Sequence, residues 1–262
     1  MKPIIGLMAT CPRETALKEV SVPSIARQIR LPDALVIVSD RYDLSVSTLK
    51  ELKATAPLLG IHSLSNTRIP GAAGAWNTGL DYIHQRWPDA YIAILDDDDA
   101  WDADHLTTCI NAAAKAKWPD AVVSGLRMNC EGALISRTPP LTLSIDDFLI
   151  GNPGWQGSNT FVNINRLLEA GGFTDGLTSC NDRDLAIRML SLHGVSITFT
   201  GKFTSTWNLN ASPDSLSQAG PQKCKALKKF LTLHGHRMTA DVRQGFMTRC
   251  RKLFGVSEAD LT

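Results

Sequence analysis

The sequence predicts an α/β fold with three layers, in which helices cover both faces of a mostly parallel central sheet. Two observations carry this prediction: short apolar runs alternate with helix-forming segments, and polar residues repeatedly follow the ends of the apolar runs. The composition agrees, because 262 residues with 44% hydrophobic and 20% charged side chains can build one large domain with an appendage. The same balance excludes disordered, collagen-like and disulfide-scaffold proteins, and no apolar run reaches the roughly 18 residues of a membrane-spanning helix.

Strands and helices are predicted to alternate through the first half of the chain. Five apolar runs have the length of buried strands, and most of them end at polar or turn-forming residues. The intervening segments are long enough for helices, with Pro23 at a break or in a first turn because proline cannot continue a helix. In chain order we predict strand 2–9, helix 14–30, strand 34–38, helix 47–55, strand 58–64, helix 75–85, strand 90–95, helix 104–116 and strand 121–127.

The second half is less regular, and a domain boundary is predicted at its end. We predict helix 146–150, a loop rich in Gly, Trp and Asn over 151–158, strand 160–162, a helical turn at 166–170, helix 182–193 and strand 195–200. The residues that follow at 218–221 (QAGP) are typical of a break between elements. The predicted organisation is therefore one domain over residues 1–217 and a helical extension over residues 218–262.

The predicted extension is strongly basic. Between Pro221 and Phe254 there are nine Lys or Arg residues and one acid, so this segment carries about +8 and the rest of the chain about −7. Basic and apolar residues recur there at helical spacing. Three interpretations stay open: an amphipathic helix pair on an anionic membrane surface, a patch for the phosphates of nucleic acid, or a helical cap with its Leu and Phe side chains packed inward.

The N-terminus and the cysteines predict a cytoplasmic protein. The first ten residues lack the apolar length and the cleavage site of a signal peptide. The six cysteines are widely spread and form no CxxC pair, which argues against a disulfide framework and a zinc site. Together with the basic extension, this allows a peripheral position at the inner face of a membrane.

Four consecutive aspartates, residues 96–99, directly follow the predicted strand 90–95. The strand delivers them to the carboxyl edge of the sheet, where open α/β sheets bind ligands. Side chains alternate along an extended backbone, so Asp96 and Asp98 are expected on one side and Asp97 on the other. Two carboxylates on one side suit Mg²⁺ or Mn²⁺, which take their other ligands from phosphates and water. We therefore predict a metal or nucleotide contact here, with a solvated acidic surface as the alternative.

Two further features are predicted at the same edge of the sheet. Asp40 ends the second strand, where its carboxylate could accept hydrogen bonds from a ribose or a base. The small-residue loop 71–79 feeds a helix, so its backbone could approach an anion, and Arg68 just before it could meet a phosphate. A plain turn is the alternative for this loop.

Asp182 opens the predicted helix 182–193. An aspartate at this position often only caps the helix. The helix start would also keep the carboxylate ionised, and an ionised carboxylate in a cleft can act as a general base toward a hydroxyl.

Taken together, these segments resemble the family 2 glycosyltransferases, which have the GT-A fold. The resemblance spans roughly residues 3–217 and depends on six segments in the family's order: residues 3–13, VIVSD (36–40), GAAGAWNTGL (71–80), AYIAILDDDDAW (90–101), GSNTFVNINRLLEAGGFTDGL (157–177) and NDRDLAIRM (181–189). Each segment is modestly specific alone, whereas the ordered set is highly specific. The resemblance implies transfer of a sugar, with inversion, from a nucleotide-sugar donor to an acceptor hydroxyl, with a UDP-sugar as the favoured donor.

The resemblance also implies roles for individual residues. Asp40 would contact the nucleoside, and Asp96 would contact either the donor near its ribose or the metal. Asp98 would bind Mn²⁺ or Mg²⁺ at the donor diphosphate, and Asp182 would deprotonate the acceptor. The expected donor-binding residues are Thr10, Pro12, Arg13, Asp40, Arg68, Gly74, Asn77, Asp96 and Asp97. The expected residues of the acceptor or sugar pocket are Trp155, Gln156, Asn159 and Asp184.

Three positions depart from the family's pattern. Trp76 stands where the family usually has Arg, and Asn181 replaces the usual Glu beside the base. Many relatives have a metal-binding His after the last strand, whereas this chain has Trp207 to Asn210 there, so Asn210 is the expected neutral oxygen ligand.

Three functions remain as hypotheses. The first is a metal-dependent inverting hexosyl- or N-acetylhexosaminyl-type transferase that acts on a cell-envelope, polysaccharide or lipid-linked glycan. The second is the same chemistry on a modified base in nucleic acid, which the basic extension would bind. The third is a binding or scaffold module without turnover, motivated by Asn181 and the missing His.

Overall fold

The structure is a computed structural model that describes residues 2–11, 13–130, 132–136, 142–209 and 219–261. Within these residues nine strands form one mixed sheet, flanked by helices. The strands are β1 (Ile4–Thr10), β2 (Ala34–Ser39), β3 (Ile61–Ser65), β4 (Tyr91–Ile94), β5 (Ala100–Trp101), β6 (Ala121–Cys130), β7 (Ala133–Ser136), β8 (Thr160–Asn163) and β9 (Ile197–Asn208). The α-helices are α1 (Glu14–Ala16), α2 (Val22–Ala26), α3 (Val46–Thr55), α4 (Ala72–Arg86), α5 (His105–Lys115), α6 (Ile145–Ile150), α7 (Ile164–Glu169), α8 (Asn181–Leu190), α9 (Pro221–His234) and α10 (Ala240–Phe254).

The sheet has a parallel half and a mixed half. Its order is β3-β2-β1-β4-β8-β6-β9-β5, with β7 paired to β6. The strands β1 to β4 pair in parallel, as the alternation of strands and helices predicts. Beyond β4 the pairings are antiparallel except for β6 with β9, which is parallel. The parallel half brings the ends of β1, β2 and β4 to one edge.

The sheet separates two hydrophobic cores, which makes the three layers. In β1, Ile5 and Leu7 face one core, whereas Ile4 and Met8 face the other. The strand is therefore apolar on both faces, as expected for a parallel strand that is covered by helices above and below. The same alternation recurs in β2 and β4.

Some elements differ from the sequence-based prediction. The helix predicted over 14–30 ends at Ala26 and contains a π-helical turn, Leu17–Ser21, with Pro23 tolerated in the first turn of α2. The last strand continues to Asn208 rather than ending near residue 200, because its second part pairs with β6 beyond an irregularity in the register. The sequence does not predict β5 and β7; β5 has two residues, and all four residues of β7 are exposed, so neither carries a burial pattern.

The two C-terminal helices pack against the main body. Phe230 of α9 and Phe246 of α10 are fully buried, in the same core as Phe148 and Leu185. This packing is what the helical-cap interpretation predicts. The predicted boundary at residue 218 lies outside the described residues. No helix within the described part of the chain combines the length and apolarity needed to cross a membrane.

Candidate active site

A cavity of about 490 Å³ opens at the carboxyl edge of the parallel strands. Six of the predicted site residues line it: Arg13, Asp96, Asp97, Asp98, Gln156 and Asp182. Its other walls come from α4, the end of β9 and the two C-terminal helices, through Trp76, Trp207, Lys223, Arg249, Leu253 and Phe254 among others. The cavity therefore joins the acidic run, the start of α8 and the basic extension in one space.

The four aspartates after β4 form a turn, in which the Asp99 N–H donates to the Asp96 carbonyl at 3.1 Å. Their burial alternates: Asp97 and Asp99 are buried, whereas Asp96 and Asp98 are partly exposed. The predicted separation of Asp97 from Asp96 and Asp98 onto opposite sides is not seen, because the residues form a turn and Arg13 contacts both Asp97 and Asp98. Asp97 also borders the cavity.

Arg13 and Thr10, at the end of β1, hold the turn from one side. The Arg13 guanidinium lies 2.6 Å from Asp97 Oδ1 and 2.6 Å from Asp98 Oδ2. The Thr10 hydroxyl donates to Asp97 Oδ2 at 2.6 Å. Burial raises the pKa of Asp97 to about 6, although the charge of Arg13 and the Thr10 hydrogen bond oppose the rise.

Ser158 and Asn208 hold the turn from the other side. Asp99 accepts a hydrogen bond from the Ser158 hydroxyl at 2.5 Å and one from the Asn208 N–H at 2.9 Å. Burial, followed by the charge of Asp98, raises the pKa of Asp99 to about 8. Sequence reasoning missed Ser158 and Asn208, since neither has a local signal and both reach the turn only through the sheet.

Asp182, in the first turn of α8, borders the same cavity as the acidic turn. The preceding Cys180 has φ 67°, a left-handed conformation that turns the chain into the helix. Burial raises the pKa of Asp182 to about 6, while a hydrogen bond from the Gly157 backbone and the charge of Lys223 oppose the rise.

Gly157 connects Asp182 to the acidic turn. A Cβ atom on this residue would lie 3.1 Å from Asp96 Oδ1, so any larger residue would crowd the carboxylate that borders the cavity. Burial, and then the negative charges of Asp99 and Asp182, hold the pKa of Asp96 well above its usual range. The cavity thus gathers carboxylates whose charges are incompletely compensated.

Asp184, predicted in the acceptor pocket, lies elsewhere, and this corrects the prediction. Its side chain is buried and accepts hydrogen bonds from Arg188, Thr174 and His234 at 2.7, 2.8 and 2.8 Å. Despite burial, the hydrogen bonds from His234 and Arg188 lower the pKa of Asp184 to about 2. The residue ties α8 to α9 rather than facing a ligand.

Trp155 and Asn159 also lie behind the cavity wall rather than on it. Trp155 is buried and donates from Nε1 to Thr160 Oγ1 at 2.8 Å. The buried Asn159 donates to the Ser124 carbonyl at 2.7 Å and accepts from the Gln156 N–H at 2.7 Å. These two residues shape the loop that presents Gln156, so their place at the surface of the pocket is corrected to a supporting one.

Several predicted donor-binding residues do not line the cavity. Asn77 bonds through its side chain to the backbone of Phe173, and Arg68 pairs with Asp81 and Asp175 at the surface. A Cβ on Gly74 would lie 2.1 Å from the Ile69 carbonyl oxygen, so this glycine is required by packing.

Asp40 stands at the end of β2, buried, and accepts a hydrogen bond from Asn66 Nδ2 at 2.8 Å. Asp40 does not border the cavity. Burial raises the pKa of Cys11, which follows β1, and the negative charge of Asp40 raises it further. The predicted site residues Pro12 and Asn210 lie outside the described residues.

The acidic turn offers oxygen ligands without forming a complete metal centre by itself. Among residues 2–11, 13–130, 132–136, 142–209 and 219–261, no three or more His, Cys, Asp or Glu side chains are arranged as a metal-binding group. The oxygen ligands that the turn offers are Asp96 and Asp98, and Asp98 is paired with Arg13.

The layered sheet matches the GT-A fold of known glycosyltransferase structures. Two solved structures are similar: S. aureus TarS 1–349 in complex with UDP-GlcNAc, with a TM-score of 0.69 over 99% of this chain and 74% of that one, and the same protein in complex with UDP, with a TM-score of 0.64 over 99% and 73%. Both are 14% identical to this chain, so the likeness concerns the fold.

The family is established by the sequence. The model of glycosyl transferase family 2 matches residues 8–169, which is more than half of the chain, and the chain belongs to this family. No curated protein matches the chain significantly. The resemblance drawn from the six motifs is thereby confirmed.

Proposed function

We propose that this glycosyltransferase is metal-dependent, takes a UDP-sugar and transfers the sugar to an acceptor hydroxyl with inversion. The observation that carries the proposal is the single cavity in which Asp96 and Asp98 border the same space as Asp182. Asp96 and Asp98 are thus available to bind a cation, and Asp182 is available to accept a proton. The complexes of TarS with UDP-GlcNAc and UDP support a uridine nucleotide as the donor.

The residues present fit a hard divalent cation. Asp96 and Asp98 supply carboxylate oxygens, and Mg²⁺ or Mn²⁺ needs only one or two of these when a diphosphate supplies the rest. Burial, and then the negative charges of Asp99 and Asp182, raise the pKa of Asp96, and a bound cation would offset that negative charge. When bound, the metal would neutralise the charge that develops on the departing nucleoside diphosphate. Arg13, which pairs with Asp98, would contribute a second positive charge beside the same phosphates.

Asp182 would act as the general base. With a pKa of about 6 it is mostly ionised at neutral pH, yet it is basic enough to accept a proton from a hydroxyl as the hydroxyl attacks. The hydrogen bond from the Gly157 backbone fixes the orientation of the carboxylate. Attack of this hydroxyl from the side opposite to the leaving diphosphate would break the bond to the diphosphate and invert the anomeric carbon.

The test of this function is a panel of UDP-, GDP-, ADP- and dTDP-sugars, each with Mn²⁺ or with EDTA. Thermal shift and slow donor hydrolysis are read together; a ligand at about 100 times its Kd stabilises the fold by about 2.7 kcal/mol. We expect a hit with a UDP-sugar that depends on the metal and is lost in Asp98→Asn. Binding and hydrolysis that are indifferent to EDTA, or absent across the panel, would contradict the proposal.

The exposed cations of the C-terminal helices favour an acceptor at an anionic membrane surface, such as a lipid-linked or envelope glycan. Arg251 and Lys252 are exposed beside Leu253, which is 47% exposed and borders the cavity. A basic, partly apolar rim suits the interface of an anionic bilayer. Co-sedimentation should be stronger with vesicles containing phosphatidylglycerol than with neutral vesicles. Preferential, salt-dependent binding to nucleic acid would instead favour a nucleic-acid acceptor.

A further inference from the structure

One wall of the cavity is cationic and comes from the C-terminal helices. Lys223 in the first turn of α9 and Arg249 of α10 both border the cavity. Lys223 is buried, with 7% of its surface exposed, and its Nζ donates to the Ser179 hydroxyl at 2.5 Å. The ammonium also lies 5.0 Å from the centre of the Phe254 ring. It is therefore held in place rather than extended into solvent.

The charges around Lys223 show that this wall gathers cations next to the proposed base. Burial lowers the pKa of Lys223, and the positive charges of Arg183 and Arg249 lower it further, while interactions with Cys180 and then Asp182 oppose them. Arg183 donates to the backbone carbonyls of Phe148 and Leu149 at 2.7 Å each. Burying a cation such as Lys223 is unfavourable, and an anion bound beside it would offset the cost.

We infer that Lys223 and Arg249 bind an anionic group, a phosphate or a carboxylate, of the acceptor substrate, beside the hydroxyl that Asp182 deprotonates. This inference rests on the proposed function. The acceptor is favoured over the donor diphosphate because the acidic turn already has Arg13 as its cation, whereas Lys223 borders the cavity with Asp182 and is hydrogen-bonded to Ser179, three residues before Asp182. The C-terminal helices would thus select the substrate as well as cover the core.

The experiment compares matched acceptors that differ in one anionic group. The pairs are glycerol and glycerol 1-phosphate, glucose and glucose 6-phosphate, and galactose and galacturonate, each assayed with the UDP-sugar that the wild-type protein hydrolyses and with Mn²⁺. Binding of each acceptor is measured in the presence of UDP. We expect at least about a tenfold preference for an anionic member in kcat/KM or Kd. A phosphate or a carboxylate source is identified by which pair shows the preference.

Variants of Lys223 test whether this residue causes the preference for anionic acceptors. Lys223→Met should reduce the anionic-to-neutral ratio about tenfold and Lys223→Arg should restore most of it, since the positive charge is retained. The matched control is Lys225→Met, an exposed cation two residues along the same helix, which should leave the ratio unchanged.

Three outcomes would overturn the inference. These are equal use of both members of every pair, failure of every anionic member to bind, or a higher donor KM in Lys223→Met with an unchanged ratio. The last result would assign Lys223 to the donor diphosphate. Failure of the proposed function is distinguishable, because the wild-type protein would then show no donor hydrolysis with water as acceptor.

Discussion

Asp184 and the acidic turn at residues 96–99 hold their carboxylates in opposite electrostatic environments. Asp184 is surrounded by Arg188, Thr174 and His234, and its pKa falls to about 2. The turn 96–99 packs four carboxylates together, and its ion pairs in the described residues come from Arg13. Burial raises the pKa of Asp97 to about 6 and the pKa of Asp99 to about 8.

This difference distinguishes a carboxylate that stabilises the fold from carboxylates that can bind a ligand. A carboxylate with a full set of partners is stable as an anion and has nothing to offer a ligand. Carboxylates that are buried together and under-compensated are unfavourable in the free protein, and such groups concentrate at functional sites. We therefore expect substitutions at Asp184 to affect stability and substitutions around the cavity to affect activity.

The largest effect is expected from Asp182→Asn. Removing a general base should lower the transfer rate by about 10² to 10⁴-fold, because the amide cannot accept the proton from the hydroxyl. Donor affinity, measured by calorimetry with UDP and Mn²⁺, should stay within about threefold, since the proposed base does not contact the diphosphate. The exposed Asp89→Asn serves as the control. A variant that keeps more than a tenth of the wild-type rate would remove Asp182 from this role.

The next effect concerns the stability of the fold. Asp184→Asn should lower the free energy of unfolding by about 3 kcal/mol, because it leaves Arg188 and His234 without their buried anion. Since the folded pKa lies below the unfolded value, this stabilisation is present above about pH 4 and is lost as the pH falls toward 2. Urea unfolding near neutral pH measures it. A loss under 1 kcal/mol would show that the hydrogen bonds do not need the charge.

The rate of transfer should depend on pH through Asp182. Only the ionised form accepts a proton, so kcat should fall about tenfold for each pH unit below about 6 and level off above that value. Circular dichroism over the same range checks that the fold persists. A rate that stays constant between about pH 5 and 7 would show that another group limits the reaction.

The smallest expected effect is a gain in stability from Asp99→Asn. The folded pKa of about 8 exceeds the unfolded value, so the folded protein binds more protons and its stability falls as the pH rises from about 4 to 8. The amide removes this dependence and can keep both hydrogen-bond partners. Relative to wild type it should gain on the order of 1 kcal/mol at about pH 8 compared with about pH 7. An equal loss at both pH values would show that Asp99 is held as a fully compensated anion.

Much of the fold could be predicted from the sequence because local patterns report it. The apolar runs of β1, β2 and β4 are buried on both faces, and such runs are visible without any tertiary information. The acidic run is visible for the same reason, since a strand from the core ends directly in it. The elements that the sequence does not predict, β5, β7 and the second part of β9, are defined by their pairing partners.

The site could be predicted only in part. The motifs identified Asp96, Asp98 and Asp182, which border one cavity. They also suggested Asp184 and Asn77, whose side chains bond within the protein, and residue type alone cannot separate a ligand contact from a buried hydrogen bond. Lys223 is visible in the sequence only as one of nine tail cations, because its place beside Asp182 depends on how α9 folds back on the body.

The most direct test of the central claim is calorimetric binding of UDP to the wild-type protein and to Asp98→Asn, each with Mn²⁺ and with EDTA. If the acidic turn is a cation site for the donor, Mn²⁺ should tighten UDP binding to the wild-type protein by at least about tenfold. The variant should bind UDP equally weakly in both conditions. Wild-type binding that is indifferent to the metal, or a variant that still responds to it, would contradict the account.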